Sequence, residues 1–329
     1  MRLFIRTEAS TQIGLGHFMR CFAIAEEARA QGIEVTFLLN ELGEAAMARL
    51  EEIGAKGVRI DGPLGSAADF MAIADLDLTR KDWLLIDSYA ATEDYIALQS
   101  QAVRVAVLDD LNVLERFDCD LLINPAQSAK PADYERKTRA RLRLGPDYAL
   151  IRKEFTEAFP DSADAPFVTI MFGGSDPAQL TSRCVEGIYG NIESVHVRAV
   201  AGPANVHTDD LTKLEQKLEH YRLYASPPSV ARVLAGSALV ITAAGGSVGE
   251  VAAMGLPALV LVVYDNQAAA LKACPYPVID ARGGLPNDLG AQVKALLDDP
   301  ARLAEIARIA HAVVDGEGPR RIVEALRHV

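Results

Sequence analysis

Leu3-Phe4-Ile5, followed by Ile13-Gly14-Leu15-Gly16-His17-Phe18-Met19-Arg20, is the stretch on which the reading of this chain turns. The first run is short and apolar, as a buried strand is, and residues 17–31 are amphipathic, as a helix is. Between them two glycines turn the chain. Glycines at a strand-to-helix turn let backbone N–H groups approach a ligand closely. A histidine that opens the helix faces whatever its N-terminus binds, and a neutral imidazole beside an anion suits a general base. The same residues also serve a tight turn with a capping histidine, and both readings stand at this point.

The grammar continues outward from that turn. In the first half, apolar runs at 2–6, 34–39, 57–61, 83–87, 103–109 and 121–124 read as strands, with amphipathic stretches at 17–31, 43–54 and 92–102 between them. Short, continuous apolar strands separated by helices predict a parallel sheet covered on both faces. A turn around Gly145-Pro146 and a polar, Pro-containing stretch at 159–166 then interrupt the pattern. It restarts with strand candidates at 167–172, 195–201, 222–225, 238–242, 258–262 and 278–279, helices at 230–234 and 247–254, and two closing helices at 300–315 and 319–328. The expectation is an α/β protein of two doubly wound, Rossmann-like halves in tandem, 1–150 and 151–329. Ligands of such folds bind at the carboxyl ends of the strands.

Composition narrows the function. The chain has 329 residues, half of them hydrophobic, and a formal net charge of -12, which argues against a general nucleic-acid binder. A small anion remains compatible, because a few glycine amides and one or two basic residues hold a phosphate. The longest late apolar run, 256–263, is far short of a membrane span, and the N-terminal run is too short for a signal peptide. No stable membrane insertion is expected. The four cysteines are widely spaced without a CxxC pair, which favours buried free thiols over disulfides or a metal site, and hence the cytoplasm.

The second half has its own glycine corners. Gly173-Gly174-Ser175 sits where a strand gives way to a helix, with Ser175 or Asp176 as candidate cap and Pro177 near the first turn. Thr242-Ala243-Ala244-Gly245-Gly246-Ser247-Val248-Gly249-Glu250 repeats that grammar. Ser247 and Glu250 have the spacing of a capping box. The alternative is that Gly246 and Ser247 hold a diphosphate while Glu250 accepts from two ribose hydroxyls, since both carboxylate oxygens accept. Asn266 and Gln267 follow the next strand and read either as turn formers or as holders of sugar hydroxyls.

Taken in order, these motifs resemble a known family. Arg6-(x)-(x)-(x)-Ser10, Ile13-Gly14-(x)-Gly16-His17-(x)-(x)-Arg20-Cys21, Asp87-(x)-Tyr89, Asp109-Asp110, Cys119-Asp120-Leu121-Leu122, Gly145-Pro146-(x)-Tyr148, Phe172-Gly173-Gly174-(x)-Asp176, Gly246-Ser247-(x)-(x)-Glu250 and Asn266-Gln267 look like the PseG-type UDP-sugar hydrolases of pseudaminic acid biosynthesis. Those are related to the two-domain GT-B glycosyltransferases of the MurG type. Ser88 departs from the pattern, standing where that family usually has histidine, as do Thr7-Glu8 and Asn124-Pro125.

The resemblance implies a GT-B fold, two Rossmann-like domains facing across a cleft, the first with the catalytic residue and sugar pocket and the second with the UDP site. It implies hydrolysis of UDP-2,4-diacetamido-2,4,6-trideoxy-β-L-altropyranose, or a close relative, to UDP and free sugar with inversion. His17 would activate water, and a downstream sugar-acid synthase would take the product. No cofactor or metal is expected. Substrate contacts fall to Gly14, Gly16, Arg6, Arg20, Tyr89, Gly173, Gly174, Gly246, Ser247, Glu250, Asn266 and Gln267. Of Asp109 and Asp110, adjacent residues facing opposite ways, one is expected to turn to the cleft. The alternatives are a GT-B glycosyltransferase in flagellin or surface-polysaccharide decoration, and a nucleotide-sugar binder without turnover.

Overall fold

The computed structural model describes residues 1–8, 16–41, 43–159, 166–192 and 195–328. Gly14 of the opening turn lies outside them, as does the side chain of Asn266. The chain divides into two compact units, Met1–Lys153 with Gly316–Val329, and Glu154–Asp315.

The first unit is built on a seven-stranded parallel sheet. Its strands are β1 Arg2–Thr7, β2 Glu34–Leu39, β3 Lys56–Arg59, β4 Trp83–Asp87, β5 Arg104–Leu108, β6 Leu121–Asn124 and β7 Arg141–Leu144, in spatial order β3-β2-β1-β4-β5-β6-β7. Side chains alternate across β1. Leu3 and Ile5 join Phe18 and Phe22 of the helix Gly16–Ala30 and Phe37 of β2 in one core. Phe4 joins Leu84, Ile86, Phe117 and Tyr134 in the other. Both faces are covered, which is why the strands read as unbroken apolar runs. Each large side chain removed from water contributes about 1.5–3 kcal/mol.

The expected boundary at 151 meets a difference at the far end of the chain. The last helix, Gly318–Arg327, packs Ile322, Val323 and Leu326 into the first core. Trp83 Nε1 donates to the Leu326 carbonyl at 2.9 Å, and Arg141 donates to the His328 carbonyl at 2.7 Å. Gly318 passes so close to Tyr148 and Ala149 that any Cβ there would collide with their backbone. Residues 316–329 therefore group with the first unit, although they follow the second in sequence.

The second unit carries a six-stranded parallel sheet: β8 Phe167–Met171, β9 His196–Ala201, β10 Tyr221–Ala225, β11 Leu239–Ala243, β12 Ala258–Val262 and β13 Val278–Asp280, ordered β10-β9-β8-β11-β12-β13. The two sheets share a topological feature. Strand order reverses beside the first strand of each, between β1 and β4 and between β8 and β11. Chain leaves the sheet in opposite directions there, which opens a crevice at the carboxyl ends of the strands.

Candidate functional site

In the first unit the β1/β4 reversal gathers a polar cluster. Asp87, the last residue of β4, is completely buried beside Thr7 of β1. His17, in the first turn of the helix Gly16–Ala30, is 7% exposed, and its Nδ1 lies 2.8 Å from Asp87 Oδ1. A carboxylate only accepts, so toward Asp87 Nδ1 carries the hydrogen and donates; a neutral ring held this way has its lone pair on Nε2. Arg20, one turn further, forks onto the same carboxylate: Nε donates to Oδ2 at 2.7 Å and Nη2 donates to Oδ1. Cys21 Sγ donates to Oδ2 at 3.2 Å.

Burial pushes the Asp87 carboxyl up, but the bonds and charges of Arg20 and His17 outweigh it and hold it below the usual carboxylate range. Burial, then the charge of Asp87, push the Cys21 thiol well up, so it remains a donor.

Arg20 also reaches the next strand. Its Nη1 donates to Asp110 Oδ2 at 2.6 Å, and Tyr89 OH donates to the same oxygen at 3.1 Å. The Tyr89 ring meets the His17 ring edge-on, centroids 4.5 Å apart at 80°. Its side chain is 59% exposed, so the tyrosine roofs the imidazole rather than filling a core. Asp109 turns the other way and accepts from buried Tyr134 at 2.7 Å, so of the two aspartates it is Asp110 that joins the cluster. Ser88 accepts from Ala90 N at 3.0 Å, shaping the turn that carries Tyr89.

Arg6 is a correction. The resemblance puts it among the substrate contacts, but it is 0% exposed and its guanidinium is held inside the sheet's other face. It donates to Asp69 at 2.6 Å, to the carbonyls of Thr7 and Leu38 at 3.1 and 3.2 Å, and to Asn40 at 2.9 Å. Alternation decides this: Arg6 shares a face with Phe4, opposite the face that meets His17. Arg20 likewise spends its fork on Asp87 and Asp110. Gly16 opens the helix and is exposed, with open space where a Cβ would stand.

In the second unit the β8/β11 reversal is finished by backbone. Gly173 has φ +72 and Gly174 follows; both are exposed, with room beside them. A Cβ on Gly202, after β9, would stand 2.5 Å from Gly174 Cα, so the two loops touch main chain to main chain. The helix expected directly after Pro177 begins only at Leu180. Asp176 does cap it, accepting from Leu180 N, Thr181 N and Thr181 Oγ1 at 2.9, 2.9 and 2.7 Å.

After β11, Gly245 and Gly246 are exposed and the helix Ser247–Ala253 begins. The capping box does not form. Gly246 is the N-cap, no side chain caps this helix, and Ser247 is already helical. Gln267 Oε1 accepts from Val263 N at 2.9 Å, closing the turn after β12 as a turn former does. Among the described residues, no group of three or more His, Cys, Asp or Glu is placed to hold a metal ion. No helix among them is long and apolar enough to cross a membrane.

Of the expected site residues, His17, Arg20 and Tyr89 meet in this cluster, while the sequence motifs assign Asp87 no role. The available signal was an acid ending an apolar strand, Trp83-Leu84-Leu85-Ile86-Asp87, at the carboxyl edge where such folds work.

Comparison with known proteins agrees with this architecture. Residues 168–314 match the glycosyltransferase family 28 C-terminal domain. An uncharacterized protein of Methanocaldococcus jannaschii, MJ1062, is 23% identical over 81% of this chain, which spans 56% of that relative's length. The UDP-2,4-diacetamido-2,4,6-trideoxy-beta-L-altropyranose hydrolase of Campylobacter jejuni is 25% identical over 76% of this chain and 87% of its own. Among solved structures, Acinetobacter baumannii MurG superposes with a TM-score of 0.64 at 17% identity, covering both chains fully. Anabaena Alr3699/HepE, solved with UDP-glucose, gives 0.67 at 16%, again over both full chains. The chain thus has the GT-B fold of two Rossmann-like domains, and within the second of them residues 168–314 match the glycosyltransferase family 28 C-terminal domain.

Proposed function

We propose that this protein is a UDP-sugar hydrolase acting on UDP-2,4-diacetamido-2,4,6-trideoxy-β-L-altropyranose or a close relative. One observation carries the reading: a histidine at the β1/β4 reversal whose Nδ1 is fixed by a buried, ionised aspartate. The resemblance to the Campylobacter hydrolase supports the choice of substrate.

In this mechanism Nε2 of His17 takes a proton from water as the water oxygen bonds to the anomeric carbon. The bond from that carbon to the UDP oxygen breaks on the opposite face, and the electron pair leaves with UDP. The free sugar has inverted configuration. Asp87 stays ionised and stabilises the imidazolium, and Tyr89 fixes the ring's orientation and lines the sugar pocket. UDP is a good leaving group, so the enzyme's main tasks are to place the water and to receive negative charge. The open amides around Gly173, Gly174, Gly246 and Ser247 suit the second task, and Glu250 suits the ribose.

Turnover in isotopically labelled water tests this. Label is expected in the sugar and absent from UDP. Label in the UDP phosphate overturns attack at carbon. A second reading, a GT-B glycosyltransferase, is favoured by the family 28 domain match. UDP release that requires an added sugar acceptor, with little release in water alone, establishes it instead.

A further inference from the structure

The polar cluster of the first unit contains one charge that the mechanism leaves unused. Asp110, two residues past the end of β5, accepts from Arg20 Nη1 and from Tyr89 OH, both on Oδ2. Its other oxygen, Oδ1, is enclosed and accepts no hydrogen bond from the described residues. Enclosing a carboxylate oxygen costs solvation, so the placement of Asp110 beside this cluster asks for a reason.

Charge supplies one. Among the described residues, His17 meets Asp87, Arg20 and Tyr89, and these in turn meet Cys21 of its own helix and Asp110 after β5, with the uncharged Thr7 beside Asp87 at the end of β1. Arg20 Nη2 approaches His17 Nδ1 to 3.1 Å, so a fixed positive charge sits against the ring that must become positive. If Asp87 were the only carboxylate, Arg20 would already neutralise it. A proton arriving on His17 would then leave a buried site with net positive charge. With Asp110 present, the cluster of Arg20, Asp87, Asp110 and neutral His17 carries one net negative charge, and the proton brings it to neutrality.

Resting on the reading of His17 as the base, we infer that Asp110 is a positioning residue for proton transfer: its charge balances Arg20 and frees Asp87 to balance the imidazolium that His17 becomes.

Two measurements test it, and the first needs no substrate. NMR titration of the His17 ring, assigned by its loss in His17→Phe, is compared between wild type and Asp110→Asn. Removal of the carboxylate is expected to move the midpoint to lower pH, by on the order of one unit for a charge one residue removed from the ring. Asp110→Glu, which keeps the charge, is expected to restore most of it.

The second measurement is the pH profile of kcat with UDP-2,4-diacetamido-2,4,6-trideoxy-β-L-altropyranose. The acid limb is expected to move the same way, with a plateau about tenfold lower and KM little changed. A structural role alone lowers thermal stability or the plateau and leaves the midpoint in place. An unmoved midpoint in folded Asp110→Asn overturns the inference. If that variant does not fold, Asp110→Ser removes the same charge with a smaller side chain and is read identically. Full turnover by His17→Phe overturns the base assignment instead, a separate result.

Discussion

At the carboxyl edge of the first sheet, five side chains and two kinds of charge are locked together: His17 and Arg20 on Asp87, and Arg20 and Tyr89 on Asp110. At the same edge of the second sheet, the corresponding reversal presents Gly173, Gly174, Gly245 and Gly246 to solvent, with space where side chains would be. The same topology is used twice and finished in opposite ways. Side chains with fixed tautomers and paired charges can move a proton. Bare amides can hold an anion whose shape is set by backbone. The first edge is thus suited to chemistry and the second to grip.

Substitutions can break that division. The largest effect is expected from Asp87→Asn, which removes the charge and replaces one of the two accepting oxygens with a donor amide, so the His17 tautomer is no longer fixed: turnover should fall about 10²–10⁴-fold while UDP affinity, by calorimetry, stays within twofold. Equal loss of both would show that the first edge also grips.

Acid denaturation adds a check on Asp87. Its carboxyl lies below the usual range in the folded protein. Its contribution to stability is therefore full above the unfolded value near pH 4 and is lost as pH falls through the lower folded value. Stability of Asp87→Asn should fall less steeply than wild type below that pH in urea titrations at successive pH values.

Arg6→Met comes next. It leaves Asp69 buried without its partner, and unfolding free energy should drop by about 3–5 kcal/mol in denaturant titration. A folded Arg6→Met with normal stability and weakened UDP binding would reinstate the substrate contact. Glu250→Ala sharpens the other side: Kd for UDP should rise about tenfold, the worth of one charge-assisted hydrogen bond, with Kd for UMP rising equally because the ribose is common to both. The smallest effect is expected from Gly202→Ala, which pushes a methyl against the Gly173–Gly174 main chain. A cost of about 1–3 kcal/mol and a few-fold loss of UDP affinity should follow, with the rate at saturation unchanged.

Much of the sheet framework was legible because both faces of each sheet are buried. Leu121–Asn124 and Ala258–Val262 are strands at the bounds their apolar runs predict. β7 was missed because Arg141-Leu142-Arg143-Leu144 alternates at the sheet's edge instead of running apolar. The helix Ala67–Ala74 was missed too, though Ser66 caps it by accepting from Asp69 N at 3.2 Å.

At the candidate site, motif order pointed to His17, Arg20 and Tyr89 but gave Asp87, which holds the first two, no role. Hydrogen bonds between residues seventy positions apart leave no local spacing to read. Arg6 was misplaced because a basic residue beside a glycine turn suggests an anion. The period-two rule, which puts it on Phe4's side, was the stronger information.

The closing helix has a practical consequence for dissecting this protein. Chain passes from the first unit to the second near Lys153 and returns near Gly316, so no single cut yields two intact pieces. A fragment ending at residue 153 lacks Ile322, Val323 and Leu326 from its interior and leaves the Trp83 indole without its acceptor. Expressing the first unit alone will require splicing the final fourteen residues, 316–329, back onto it.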